Sequence, residues 1–266
     1  MEKIIKQKET VTMYIATHKK INKPNYSYYI PIRVGAHINK NDFGYLRDDI
    51  KNNISSKNQN YSELTAIYWM WKNDKSNIVG INHYRRYFFN SKTSYNMNNV
   101  ITKEKIINIL NNYDIIVPQP LVMIKDNVYT YYKRHHHIKD LNICEDIILK
   151  KFPEYHESYL KLLNRHYYFP CNMFICKKEI FDKYMSWLFE ILFELEKKID
   201  ISNYDDYNKR VYGFISERLF NVWLEKNKQY KIKIMPMANI EENIIKQKIK
   251  YLEKIIYLKL LSSSKN

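Results

Sequence analysis

The chain opens with apolar runs of strand length separated by polar breaks. Val11 to Ala16 is a short apolar segment closed by Thr17-His18-Lys19-Lys20, and Tyr28 to Val34 is a second β-rich run. Between Tyr61 and Lys72 the apolar positions Leu64, Ile67, Tyr68 and Trp71 recur at helical spacing, with Ser62 placed to cap the start. A third strand is predicted over Asn77 to Asn82, then a helix over Lys103 to Leu110 and a strand Tyr113 to Val117 stopped by Pro118. A helix over Leu141 to Lys151 breaks before Pro153, and a short apolar run covers Asn172 to Cys176. Beyond it the pattern becomes helical. Phe181, Tyr184, Leu188, Ile191 and Leu195 fall on one face of a long helix, and Tyr207 to Glu225 forms another. Strands alternating with helices predict an α/β sandwich, and the absence of a Pro/Gly/Ser linker favours one domain with a helical C-terminal half.

The last periodic segment, Ile240 to Leu261, places Ile245, Ile249, Leu252, Ile256 and Leu260 on one face, with Lys246, Lys248, Lys250, Lys254 and Lys259 around it. The domain boundary is therefore expected at 239/240, with a main domain over 1–239 and a basic amphipathic helix over 240–266. Such a helix can lie in the headgroup region of an anionic leaflet, or dock its Ile/Leu face on the domain or on a second helix. The richest apolar stretch, Trp187 to Leu195, is interrupted by Glu190 and Glu194, so no membrane-spanning helix is predicted. Nor does the start carry an apolar core of signal-peptide length, which makes a cytoplasmic location, with peripheral attachment to the inner face of the membrane, the expectation. Cys144, Cys171 and Cys176 fit neither a disulfide framework nor a zinc knuckle.

The formal charge of +16 predicts an anionic partner: nucleic acid, a lipid surface or a phosphorylated small molecule. Lysine dispersed among Asn, Ile and Tyr is equally a compositional bias. Four glycines, at Gly35, Gly44, Gly80 and Gly213, exclude both the dinucleotide fingerprint and the Walker-type phosphate loop. The densest cationic cluster is Ile81-Asn-His-Tyr-Arg-Arg-Tyr-Phe, where the third strand ends. Ligands of open α/β sheets bind outside the carboxyl ends of strands, so Arg85 and Arg86, flanked by His83 and Tyr84, are candidates to grip phosphates. Their alternative is a solvated edge with ordinary salt bridges.

The histidines His135, His136 and His137 are consecutive, and neighbouring side chains diverge, so no metal site is assigned to them. One of them with Asp140 is a candidate for a sugar hydroxyl or for acid/base work. No D-x-D occurs, and Asp48-Asp49 and Asp205-Asp206 are adjacent pairs that do not offer two carboxylates on one side. Glu217, followed by Arg218 in an otherwise apolar helix, reads by itself as a buried structural ion pair.

With these residues assembled, the chain resembles a bacterial capsular and exopolysaccharide biosynthesis family, the domain of unknown function DUF4422, which includes β-galactofuranosyltransferases. The resemblance runs through Tyr14-Ile-Ala-Thr-His-Lys, Asp48-Asp-Ile-Lys-Asn-Asn-Ile-Ser, Asn60-Tyr-Ser-Glu-Leu-Thr-Ala-Ile-Tyr-Trp-Met-Trp-Lys-Asn and Gly80-Ile-Asn-His-Tyr-Arg-Arg-Tyr-Phe. It continues through Val117-Pro-Gln-Pro, Tyr132 with His136 and Asp140, Cys171-Asn-Met-Phe-Ile and Arg210-Val-Tyr-Gly-Phe-Ile-Ser-Glu-Arg-Leu, to about Leu224.

The resemblance implies a GT-A-like glycosyltransferase sandwich that transfers a sugar, galactofuranose from UDP-galactofuranose by preference, with inversion onto a lipid-linked oligosaccharide. Its implied donor side comprises Thr17, His18, Asp48, Asp49, Glu63, His83, Tyr84, Arg85, Arg86 and Arg218, with arginine charge in place of a metal and no other cofactor. Glu217 is the implied general base and Asp140 its rival. His136, Asn172 and Met173 are assigned to the acceptor. Two readings of other classes stay beside it: a basic RNA-binding protein, for which no recognition-module signature appears, and a catalytically silent scaffold of polysaccharide assembly.

Overall fold

The structure, a computed structural model, describes residues 9–249 together with 252, 253 and 256. Among them one mixed sheet runs through the molecule in the order β10-β6-β9-β4-β1-β2-β3. Its first strands are β1 (Val11–Thr17), β2 (Tyr29–Arg33), β3 (Leu46–Arg47) and β4 (Ile78–His83). β1 pairs in parallel with β2 and with β4, and β2 with β3. The next edge follows from β6 (Ile115–Pro118), β9 (Ile175–Lys177) and β10 (Ile232–Met235). β9 is antiparallel to both β4 and β6, which keeps β6 and β10 parallel to β1. A branch leaves β4 through β5 (Arg86–Phe88) to β11 (Met237–Asn239), while β7 (Leu121–Val122) and β8 (Tyr167–Tyr168) form a separate pair.

Alternation along β1 explains the two-layered core. Tyr14 and Ala16 point into one apolar cluster, and Val11, Met13 and Ile15 into another. The first cluster is covered by α2 (Leu64–Asn73), α5 (Ile138–Lys151), α6 (His156–Leu163), α7 (Lys178–Lys198) and α8 (Val211–Lys226). The second is covered by α3 (Lys103–Leu110), begun by the Thr102 side chain accepting from Lys105 N–H. Two shorter helices, α1 (Asn58–Tyr61) and α4 (Val128–His135), complete the set used below. The Phe181, Tyr184, Leu188, Ile191 and Leu195 face lies buried on α7 as its period predicts.

Three local expectations are corrected. The helix expected over Tyr61 to Lys72 is two helices, because Ser62 takes φ 51° between them and does not cap α2. The helix expected from Tyr207 begins at Val211, after a turn of 3₁₀ helix over Asn208–Arg210. Ile240 to Glu242 precede the tail helix, and they are tied to the main body: Ile240 N–H donates to Arg85 C=O (2.8 Å) and Glu241 pairs with Lys19 (2.8 Å).

Residues 244–249 are helical, as are 252, 253 and 256. Gln247 exchanges two hydrogen bonds with the Asn239 backbone, and Lys248 Nζ approaches Thr93 C=O and the Tyr95 ring. Ile245, Ile249, Leu252 and Ile256 are consequently exposed. Leu260, Lys250, Lys254 and Lys259 lie outside the described residues.

Candidate functional site

The parallel strands β1 and β4 end side by side, with Ala16 in register with His83. A cavity of about 340 Å³ opens there, lined by Ala16, His18, Val34, Asn58, Gln59, Ser62, Glu63, His83, Tyr84, Arg85, Arg86 and Arg210. Its position is the one open α/β sheets use for ligands. Local geometry fixes the rim. Thr17 is fully buried, and its hydroxyl bridges the Lys19 backbone, donating to the C=O (2.7 Å) and accepting from the N–H (3.2 Å), which turns the chain so that His18 projects over the cavity. His18 meets the Tyr84 ring edge-on at 4.9 Å, and Lys19 and Arg85 lie 4.6 and 5.3 Å from the centre of the same ring.

Arg85 and Arg86 stand between β4 and β5, and their backbone is clamped by the tail segment: β11 pairs with β5, placing Asn239 opposite Arg86. Arg85 Nε is buried without an acceptor among the described residues. A buried guanidinium nitrogen left unpaired is costly, which marks this rim as built for an anion. Arg210 reaches the cavity from the entrance to α8, held by Ser62 Oγ (3.0 Å) and by the Phe214 ring (5.5 Å). It was absent from the residues expected at the site, although it begins the motif Arg210-Val-Tyr-Gly-Phe-Ile-Ser-Glu-Arg. Asn58 and Gln59 were missed as well, since nothing in an isolated sequence ties them to the end of β1.

The floor of the cavity is acidic. Burial raises the Glu63 carboxyl above its usual range, opposed by a hydrogen bond from Asn172 Nδ2 (2.8 Å) and by Arg210 and Arg86. Burial likewise raises Glu217, opposed by Arg218 and reinforced by the charge of Glu63. His83 is pushed down to about 4 by burial and by Arg86, so it is neutral at ordinary pH; its Nε2 donates to Cys171 C=O at 2.7 Å, which sets the Nε2–H tautomer.

The remaining expected residues take other places. Asp48 is completely buried behind the cavity and accepts from Gly35 N–H, Ala36 N–H, Ser55 Oγ and Thr65 Oγ1. Gly35 has φ 66°, and a Cβ there would fall 2.6 Å from Asn58 Oδ1, so this turn tolerates only glycine. Asp49 forms a bidentate pair with Arg47, two residues away, which holds it below the usual carboxylate range.

Asp140 is buried on α5, where its Oδ1 accepts from Tyr204 OH (2.7 Å), and it does not line the cavity. Arg218 is buried between the rings of Tyr132 and Tyr168, 5.1 and 4.7 Å from their centres, and donates to Phe214 C=O. His136 is stacked between Phe214 and Tyr207, and Met173 is fully buried in the second core cluster. Among the described residues no group of three or more His, Cys, Asp or Glu has the arrangement of a metal site.

The family model described as "Domain of unknown function (DUF4422)" matches residues 12–228. The chain belongs to the DUF4422 family. It is also similar to the solved apo structure of WbbM, a bifunctional glycosyltransferase: 32% identity and a TM-score of 0.81 over 88% of this chain and 46% of that one. This DUF4422 chain therefore spans a little under half the length of that relative. The likeness identifies the α/β architecture as a GT-A-like glycosyltransferase fold, as expected from the sequence. None of the curated proteins matches the chain. No helix among the described residues is long and apolar enough to cross a membrane.

Proposed function

We propose that this chain is a glycosyltransferase of surface-polysaccharide synthesis that moves a sugar from a nucleotide diphosphate to a glycan hydroxyl. The observation that carries the reading is the juxtaposition, at the ends of β1 and β4, of three arginines with the buried carboxylate Glu63 in one cavity. Glycosyl transfer needs both charges. The departing diphosphate gains negative charge, which Arg85, Arg86 and Arg210 offset, and the acceptor hydroxyl must lose a proton to a carboxylate. His18 and Tyr84 form the wall on which the nucleotide rests, and the backbone of Thr17 shapes that wall.

The preferred donor is UDP-galactofuranose, with inversion, on the support of the family resemblance, and the acceptor is a lipid-linked oligosaccharide. The missing D-x-D and the arginine rim support transfer without a metal. The exposed Ile245, Ile249, Leu252 and Ile256 beside Lys246 support peripheral attachment of the tail to an anionic leaflet. The proton acceptor belongs to the Glu63–Glu217 couple, Glu217 being the expectation from sequence.

The test is thermal stabilisation by a panel of UDP-, GDP-, CMP- and dTDP-sugars. A donor at 100 times its Kd stabilises the fold by about 2.7 kcal/mol. UDP-galactofuranose is expected to raise Tm in the wild type and not in the R85A/R86A double variant. No shift with any nucleotide sugar would overturn the reading, and a shift that survives the double substitution would move the diphosphate elsewhere.

A further inference from the structure

The two acidic residues at the floor of the cavity are joined by one short segment. Cys171 and Asn172 have φ 71° and 49°, consecutive left-handed conformations that non-glycine residues rarely adopt. Each bond the segment makes reaches a residue of the site. Cys171 N–H donates to Glu217 Oε1 (2.9 Å), and Cys171 C=O accepts from His83 Nε2 (2.7 Å). Asn172 Nδ2 donates to Glu63 Oε1 (2.8 Å), while Asn172 Oδ1 accepts from Ser216 Oγ (3.1 Å). An extended backbone would aim these groups in other directions, so the strain has an identifiable return in orientation. Asn172 itself is buried, with both ends of its amide committed.

Counting oxygens separates the two glutamates. Both oxygens of Glu217 are engaged, Oε1 by Cys171 N–H and Oε2 by the Arg218 guanidinium at 3.2 Å. Glu63 is held by one oxygen only, and it lines the cavity beside Arg86 and Arg210, where Glu217 does not. We propose that Glu63 is the catalytic base, that its Oε2 receives the acceptor's proton, and that Asn172 and Glu217 are positioning residues acting through the Cys171–Asn172 turn. This assignment rests on the glycosyl-transfer reading above.

In the step so assigned, the acceptor O–H proton passes to Glu63 Oε2 as the acceptor oxygen bonds to the anomeric carbon. The bond from that carbon to the diphosphate breaks, its electron pair leaving on the phosphate oxygen, whose charge Arg85, Arg86 and Arg210 offset. The groups facing Glu63 are Arg86 from β5, Arg210 from the start of α8, Glu217 from α8, neutral His83 from β4, and the Cys171 thiol, itself pushed up to about 12 by burial. Only ionised Glu63 accepts a proton, so activity falls as pH drops through its pKa. Asn172 donates to the ionised form and holds that limb lower than burial alone would set it.

The test is the pH–rate profile of UDP release from UDP-galactofuranose, with an alkyl galactoside as acceptor, for the full chain and three variants. E63Q keeps the acceptor atom for Asn172 and is expected to lose at least about 10³-fold in kcat, with UDP affinity within about threefold. E217Q is expected to lose roughly tenfold and to keep the acidic limb. N172A is expected to shift the limb to higher pH, which a residue with a purely structural role would not do. E63Q within about threefold of wild type, or E217Q the more damaged of the two, would overturn the assignment while leaving the arginine-dependent donor binding intact. An unmoved limb in N172A would overturn it too, and decides the matter if E63Q fails to fold. A wild type that binds no nucleotide sugar would instead defeat the underlying reading.

Discussion

Asp48 and Glu63 are carboxylates behind the same wall of one cavity, and they are solvated by the protein in opposite ways. Asp48 has two backbone amides and two hydroxyls around it, a full complement of donors, and no access to the cavity. Its charge is consumed in fixing the turn after β2 to α2. Glu63 has a single side-chain donor, two arginines at a distance, and an oxygen without a protein partner among the described residues. Donor count, more than burial, therefore separates a carboxylate that builds the fold from one that is available to a substrate.

The contrast is broken most severely at Asp48. Asp48→Ala leaves two buried amides and two hydroxyls without an acceptor, and is expected to cost about 3–5 kcal/mol of stability, seen as a Tm lowered by roughly 10 °C. Survival of the wild-type Tm would show that water replaces the carboxylate and that donor count is not the criterion. Replacing both Arg85 and Arg86 by Ala tests the other side. It should leave the fold standing and remove about 2–4 kcal/mol of transition-state stabilisation, measured as kcat/KM. Unchanged kinetics would return both arginines to the surface.

A smaller effect is expected at the tail. Cutting after Asn239 removes the Ile240 bond to Arg85 and the Glu241 pair with Lys19, and should weaken donor binding by about 1 kcal/mol; cutting after Asn243 keeps both and should abolish only co-sedimentation with anionic liposomes. Equal sedimentation of the full and shortened chains would refute the anchor. The smallest effect belongs to Asp140→Asn. With its carboxyl given to Tyr204 and no place in the cavity, turnover should change less than about threefold, and a loss rivalling that of Glu63→Gln would move the proton acceptor there.

The same contrast explains what the sequence made legible. The strands β1, β2, β4 and β6 and the helices α3, α5 and α7 follow from periodicity, because burial against a sheet imposes a period of two or of 3.6 on any sequence. The arginine rim was legible for a different reason: Arg beside His and Tyr at a strand end is unusual in a chain whose common cation is Lys. Asp48 and Glu63 were not separable, since both are acids near apolar residues and only the fold shows which donors reach them. The Ser62 break was hidden because its positive φ is imposed by packing of α1 against α8, with Arg210 holding the side chain. Arg218 looked like a site cation by adjacency to Glu217, yet one residue along a helix turns the side chain toward Tyr132 and Tyr168.

The central claim is that this cavity carries out sugar transfer with arginine charge and a carboxylate base. Its most direct test is transfer from UDP-galactofuranose to an alkyl galactoside in excess EDTA. The account predicts that most of the wild-type rate persists in EDTA and is lost in the R85A/R86A variant. Complete loss in EDTA that Mn²⁺ or Mg²⁺ restores, with the double variant as active as wild type, would contradict it.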